Sequence, residues 1–275
     1  MEGERPTKQY SAMVAGAPLD RGRLRAELDG LGLRAGMTVL VHCSLRRVGW
    51  VDGGAAALRE ALLDVLGEHG TVVVPAQTGS KSATSRELRD AVAGLDKAEC
   101  ERYLARLPGF DPAASPVEGM GALAEAVRTH PRAHRSPHPA TSFAAVGAQA
   151  AELCAAHPLE CLLGTESPLG LLAKIDARVL LLGVGFDKCT AFHLGEDRAL
   201  PEERPYRCKI GDAWREFKAL SYRDGDFAEL GARFERVHGA RVRDGWVGNA
   251  RARLFPLALA ADFAELELPA LRFVR

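Results

Sequence analysis

Residues 38–74, TVLVHCSLRRVGWVDGGAAALREALLDVLGEHGTVVV, decide the fold. Thr38 to His42 is a short apolar run that reads as a buried strand. Gly53 and Gly54 open an Ala/Leu-rich helix, Ala55 to Leu66. Gly67 and Gly70 stop it, and Thr71 to Val74 is a second apolar strand. Strand, helix and strand within about 40 residues form a βαβ unit, whose crossover makes the two strands parallel and the connection right-handed. A third strand is expected at Val179 to Val184. The chain is therefore read as α/β: a single domain over residues 19–275, with a mixed, largely parallel central sheet flanked by helices. Residues 1–18 are read as a loose arm.

Outward from that unit, Asp20 to Leu31 is an amphipathic helix, with Asp20 as N-cap and leucines 24, 28 and 31 on one face. Residues 77–118 are polar and punctuated by Gly and Pro. They read as an excursion over the carboxyl edge of the sheet, where a cleft would lie. Gly119 to Arg128 is expected to be helical, and Thr129 to Ser142 irregular. Gly147 to Ala156 and Pro168 to Lys174 read as helices, and residues 206–220 as a hairpin around Gly211–Asp212. Asp226 to Val237 and Asn249 to Phe263 read as helices flanking a strand near 240–247.

The composition narrows the function. Lys plus Arg and Asp plus Glu each number 36, so the 275-residue chain is neutral with His uncharged. That argues against nucleic acid or an anionic membrane as partner. No apolar run reaches the ~18 residues of a membrane span, and MEGERPTKQYSAM lacks the apolar core of a signal peptide. A cytoplasmic protein is expected. The six cysteines, at 43, 100, 154, 161, 189 and 208, include no CxxC pair. They suggest neither a disulfide framework nor a zinc site but buried, reduced thiols, and no metal is expected.

RVLLLGVGFDKCTAFHLGE, residues 178–196, carries the strongest chemical signal. A strand passes a turn at Gly183 and Gly185 and ends on a short helix with His193 and Glu196. Reactive groups in α/β proteins sit past the carboxyl ends of parallel strands. The i, i+3 spacing puts both side chains on one helix face. A carboxylate there would orient the imidazole and raise its basicity; a helix-surface pair without a role has the same spacing. Cys189 stands four residues before His193. It is read as a pocket-lining thiol, with a nucleophile or half of a metal site as alternatives. VHCSLRRVGWVDGG, residues 41–54, would suit an anionic group held by backbone N–H groups and a helix dipole, with Arg46 and Arg47 toward phosphates. The alternative is a plain strand-to-helix connection. RSPHPATSF, residues 135–143, is a proline-stiffened loop rich in polar groups around His138. The acids Glu202, Glu203, Asp224 and Asp226 would suit a polycation if they lined the cleft, and would otherwise face solvent.

Together these segments resemble the aminoglycoside 3-N-acetyltransferase family, a non-GNAT group of antibiotic N-acetyltransferases. HCSLRRVGWVDGG is similar to that family's H-[ST]-S-L-x-x-[IVL]-G-x-[VI]-x-G-G segment, and GTVVVPAQT to the strand and cleft loop after it. FDPAASPVEGMGALAEAVRTHPRAHRSPHPATSFAAVG is similar to F-D-P…T-P…M-G…R-[ST]-x-H-P…S-F-A-A-x-G. HPLECLLGTESPLGLLAKIDARVLLLGVGFDKCTAFHLGE is similar to G-x-x-S-P-x-G…V-L-L-L-G-V-G-x-x-x-x-T-x-x-H-x-x-E. The GNAT pyrophosphate signature [QR]-x-x-G-x-[GA] does not occur. Two departures concern the acceptor: Cys189 stands where many members carry Asn, and the acidic run at residues 222–227 is less dense.

The resemblance implies an antibiotic N-acetyltransferase-like domain that uses acetyl-CoA as co-substrate to acetylate the 3-amino group of 2-deoxystreptamine aminoglycosides. Residue by residue it implies His193 as general base, with Glu196 and His138 completing the catalytic set. The donor would meet His42, Ser44, Leu45, Arg46, Val48, Gly49, Ser136, Thr141 and Phe143. The acceptor, a small polycationic amine, would meet Gln77, Thr78, Asp187, Asp224 and Asp226. A monomer or homodimer is expected. Acylation of another amine in small-molecule metabolism is the alternative, and a non-catalytic CoA- or antibiotic-binding protein a third reading.

Overall fold

The computed structural model describes residues 18–273. All of the loose arm except Pro18 lies outside them. Among the described residues there are nine strands: β1 Thr38–Cys43, β2 Thr71–Pro75, β3 His134–Arg135, β4 Phe143–Gly147, β5 Arg178–Leu182, β6 Glu203–Ile210, β7 Ala213–Leu220, β8 Arg243–Val247 and β9 Ala250–Pro256. Seven form one sheet in the order β3-β4-β2-β1-β5-β9-β8, and β6–β7 form a separate hairpin. The centre is parallel, with β1 between β2 and β5. β4 and β9 run against their neighbours. Strands β3, β2, β1, β5 and β8 thus share one direction and two strands oppose it, so the sheet is mixed and largely parallel.

The strands divide their side chains between two cores. Val39, Val41, Val72, Val74, Leu180 and Leu182 face one core, closed by helices Arg21–Leu31, Gly54–Leu66 and Ala122–Arg128. Leu40, Val73, Val179 and Leu181 face the other. Helices Pro168–Lys174, Ala191–Ala199, Phe227–His238 and Leu257–Phe273 close that side. This is the alternation of pleated strands buried on both faces. The first helix starts as the sequence indicates: the Asp20 carboxylate accepts from the Arg23 N–H, and Leu24, Leu28 and Leu31 are buried.

The structure corrects two segments. Gly147 to Ala156 is not a helix throughout: Phe143–Gly147 is strand β4, and the helix spans Ala150–Cys154. Asn249 to Phe263 is split as well, with Ala250–Pro256 as β9 and the helix running Leu257–Phe273. Both strands are rich in alanine, a helix former by local preference. Pairing with β2 and β5 outweighs that preference, because Ala252 and Leu254 reach one core while Phe255 reaches the other. Residues 206–220 do form a hairpin, which begins at Glu203 and turns at Gly211 with φ +54°. It packs on the 77–118 excursion, where Ser82 pairs with Cys208 and Phe110 with Ile210. The excursion and hairpin together wall the carboxyl edge of the sheet. No helix among the described residues is long and apolar enough to cross a membrane.

One close approach on the second face matters for the site. A Cβ at Gly195 would fall 2.2 Å from the Ala261 carbonyl oxygen and 2.5 Å from the Glu265 nitrogen. Helices Ala191–Ala199 and Leu257–Phe273 therefore touch backbone to backbone. Gly195→Ala should destabilise the protein by about 1–3 kcal/mol, the usual cost of overpacking, read as a lower urea midpoint. An unchanged midpoint would mean that the two helices can separate freely.

Candidate active site

The crossover between β1 and β2 runs through helix Gly54–Leu66 on one face of the sheet, whereas the chain enters β5 from helix Pro168–Lys174 on the other. A topological switch point therefore lies between β1 and β5, and ligands of open α/β sheets bind beyond the carboxyl ends of such strands. Those ends are joined by the Ser44 N–H, which donates to the Leu182 carbonyl at 2.9 Å. The chain leaves β5 at Gly183, whose φ of +67° suits glycine. It makes one short 3₁₀ turn, Phe186–Lys188, and enters helix Ala191–Ala199.

His193 and Glu196 meet on that helix, with Nδ1 2.7 Å from Oε2. A carboxylate only accepts, so Nδ1 carries a proton, and in the neutral imidazole Nε2 then keeps its lone pair. Nε2 has no hydrogen-bond partner among the described residues. Phe227 and Tyr222 fix the ring, at centroid distances of 4.6 and 5.3 Å. Glu196 is 1 % exposed. Its Oε1 accepts from the Arg223 N–H at 2.9 Å and from Arg272 Nη1 at 2.5 Å.

His42, at the end of β1, has the strand parity of Leu40 and so points to the His193 side of the sheet. Its Nε2 is buried without a partner. Burial, reinforced by the charge His193 would carry when protonated, pushes the His42 pKa down to about 3. A neutral, unsatisfied imidazole thus lies near the pair. Beside the switch point a cavity of about 330 Å³ is lined by Arg47, Gly183, Gly185, Asn249, Arg251 and Arg253. Arg47 Nη1 donates to the Gly183 carbonyl at 3.0 Å. Arg251 and Arg253 are partly balanced by Asp244 and Glu235.

Of the residues expected to meet the donor, Ser44, Leu45, Arg46 and Gly49 lie on the short helix Leu45–Val48 and its two caps, in the loop that follows β1, with Arg46 exposed. Val48 is in the core, and only its backbone reaches the loop's surroundings, accepting from the Asn249 N–H. The 135–143 loop behaves differently. Ser136, His138 and Phe143 are fully buried. His138 Nδ1 accepts from the Ala140 and Thr141 N–H groups, and Nε2 faces the Leu159 carbonyl at 3.2 Å. Ser136 Oγ is 3.0 Å from His157 Nδ1 and accepts from the Phe143 N–H. The Thr141 hydroxyl donates to the Leu162 carbonyl. These polar groups tie the loop to residues 157–162, and both ring nitrogens of His138 are engaged there. Arg135 is likewise committed: it donates to Ser142, Thr78 and the carbonyls of Ala76 and Ser115, and it stacks on Phe110. Burial pushes its pKa down to about 10.

Of the residues expected to meet the acceptor, Gln77 is half-buried past the end of β2, and Thr78 is fully buried with its hydroxyl taken by Arg135. Asp187 and Asp224 are exposed. The Asp226 carboxylate is held by Arg272 Nε and Nη2 at 2.6 and 3.0 Å. It is therefore an internal partner rather than a free acid. Cys189 is fully buried, and burial raises its pKa to about 12, so it is no thiolate. Sequence reasoning missed Arg272, Tyr222, Phe227, Arg251 and Arg253. Tyr222 and Phe227 flank the acidic run and were within reach of the motif. Arg272 lies 76 residues beyond Glu196 and gives no local signal.

A histidine–carboxylate pair thus lies at the switch point of a mixed α/β sheet, beside an arginine-lined cavity. The chain belongs to the aminoglycoside 3-N-acetyltransferase family, whose model matches residues 40–268. It is 40 % identical over 259 residues to the SPbeta prophage-derived aminoglycoside N(3')-acetyltransferase-like protein YokD of Bacillus subtilis, covering 90 % of this chain and 92 % of that one. Among solved structures it is similar to AAC-IIIb in binary complex with CoASH, with a TM-score of 0.80, 28 % identity and coverage of 94 % and 98 % of the two chains. It is also similar to AAC-VIa bound to sisomicin, with a TM-score of 0.78, 29 % identity and coverage of 93 % and 99 %.

The buried imidazoles make stability depend on pH. Burial holds His42 and His138 at about 3 and His157 at about 4, below the 6.5 of a free imidazole. Below pH 6.5 the unfolded chain takes up protons at these sites that the folded chain refuses. Stability is full above 6.5 and falls as pH drops toward 4, by a slope of up to about three protons. Urea midpoints between pH 7.5 and 4.5 should show this, and His157→Gln should flatten the slope by about one proton. A flat wild-type profile would contradict it.

Proposed function

We propose that the protein acetylates the 3-amino group of a 2-deoxystreptamine aminoglycoside, with acetyl-CoA as donor, by direct transfer with His193 as general base. One observation carries this reading: Nδ1 of His193 is locked to the buried Glu196 while Nε2 stays open at the switch point. The CoASH and sisomicin complexes of the similar proteins support the two substrate classes.

An ammonium cannot attack a thioester and must first lose a proton. Nε2 takes it, directly or through one water, and Glu196 stabilises the imidazolium; as the C–N bond forms the C–S bond breaks, and the departing CoA thiolate takes the proton from the imidazolium. The developing oxyanion needs donors. The Gly183 N–H is already bonded to the Arg251 carbonyl, and the hydroxyls of the 136–142 loop are bonded inward. We assign the role to the N–H groups of Val184 and Gly185. The arginine-lined cavity and residues 44–49 take the phosphate end of the donor, and His42 faces its thioester arm. Asp187 and Asp224 meet the cationic acceptor.

A second reading, acylation of another amine in small-molecule metabolism, gains from one observation. With Asp226 held by Arg272, the acidic lining is thinner than a polycation would favour.

Purified protein with acetyl-CoA and a panel of aminoglycosides should release thiol and yield a product heavier by one acetyl group. His193→Ala should lower kcat by about 10²–10⁴-fold without loss of fold, whereas Cys189→Ser should stay active. Thiol release only with simpler amines would move the assignment to the second reading. Retained activity in His193→Ala would remove the base. Arg251→Gln should raise KM for acetyl-CoA while sparing an acetylated pantetheine that lacks the phosphates. Equal effects on both donors would place the phosphates elsewhere.

A further inference from the structure

Glu196 cannot hold its charge at 1 % exposure without cationic or N–H partners. Besides His193 it has two. One is the backbone N–H of Arg223, and the other is the guanidinium of Arg272 in the last turn of helix Leu257–Phe273. The same guanidinium donates to both oxygens of Asp226 and, at 2.8 Å, to the Arg223 carbonyl. Its side chain is 11 % exposed. The backbone contact at Gly195 is what brings its helix close enough. One planar fork therefore grips the carboxylate that orients His193 and the turn that presents Asp224.

We infer that Arg272 is a positioning residue that acts through Glu196 to fix the tautomer of His193 and, through Asp226 and the Arg223 carbonyl, to fix the acceptor-side turn in the same frame. The inference rests on His193 being the base. It deepens that reading by making the alignment of base and acceptor the work of one side chain. The titratable groups around the pair are His42 from β1, Asp197 on the same helix, Tyr206 from the hairpin, and Tyr222 and Asp226 from the turn before helix Phe227–His238. Beside them Arg272 supplies the guanidinium in contact with Glu196. Its removal takes a positive charge away from the pair, and a group that loses a positive neighbour holds its proton more tightly.

The test uses the full chain as Arg272→Gln and Arg272→Lys, with acetyl-CoA and the best acceptor, and histidine ¹⁵N NMR on the same samples. Arg272→Gln should lower kcat by roughly 10–100-fold, less than loss of the base itself. It should also raise KM for the acceptor, shift the acidic limb of the kcat/KM profile to higher pH and mix the His193 tautomers. Added guanidinium ion should restore part of the rate, and Arg272→Lys should fall between wild type and Gln. A lower kcat with an unmoved acidic limb and an intact Nδ1–H tautomer would mean a merely structural role and overturns the inference, as would unchanged kinetics. If Arg272→Gln does not fold, Arg272→Lys decides: wild-type acceptor KM and pH limb there reject the inference. If wild-type protein acetylates no amine, the functional reading fails, while the NMR arm still reports whether Arg272 sets the His193 tautomer.

Discussion

The buried negative charge of Glu196 is the constraint on which the site depends. A carboxylate withdrawn from water is costly unless each lone pair finds a donor. Here the donors come from three separate places: its own helix, the turn before helix Phe227–His238, and the helix Leu257–Phe273. They converge only because Gly195 lets two helices meet at backbone distance. That contact in turn requires β9 to lie against β5, so that the helix after β9 returns over the helix after β5. A single ionised group thus links sheet order to the orientation of one imidazole.

The fold also sorts its histidines by what their ring nitrogens touch. His138 and His157 spend both nitrogens on the loops around them and are held neutral by burial. They build the wall behind the cleft. His193 spends one nitrogen on Glu196 and keeps the other open. His42 is buried like the first two but has an unpaired nitrogen, a cost in stability that a bound ligand can repay. Residue type alone says nothing of these differences. They arise from whether a backbone carbonyl or N–H happens to lie beside each ring.

Much of the fold was legible in the sequence. The three central strands are continuous apolar runs with Gly-marked turns, and the first helix and the hairpin declare themselves through a cap, a leucine stripe and Gly211. Strand β4 carries no local mark, and β9 reads as helix because its alanines favour helix locally; only their long-range partners make them strands. Within the site, the pair of His193 and Glu196 could be read from spacing. The fate of His138 could not: a proline-flanked, polar loop reads alike whether its groups face a ligand or each other. Asp226 and Arg272 show the same limit. An acid in an exposed-looking run turns inward when a guanidinium 46 residues away reaches it, and no local pattern carries that information.

The pairing of β1 with β5 joins residues about half the chain apart, with Leu40 beside Val179. The cleft opens on that seam. Closing so long a loop is slow and yields nothing until many other contacts form, because its entropy must be spent before the contact rewards it. The pocket therefore has no local precursor. A partly folded chain can hold the βαβ unit of β1 and β2 intact while the place between β1 and β5 does not yet exist. Ligand binding at this seam would report completion of the whole fold and would shift the folding equilibrium toward it.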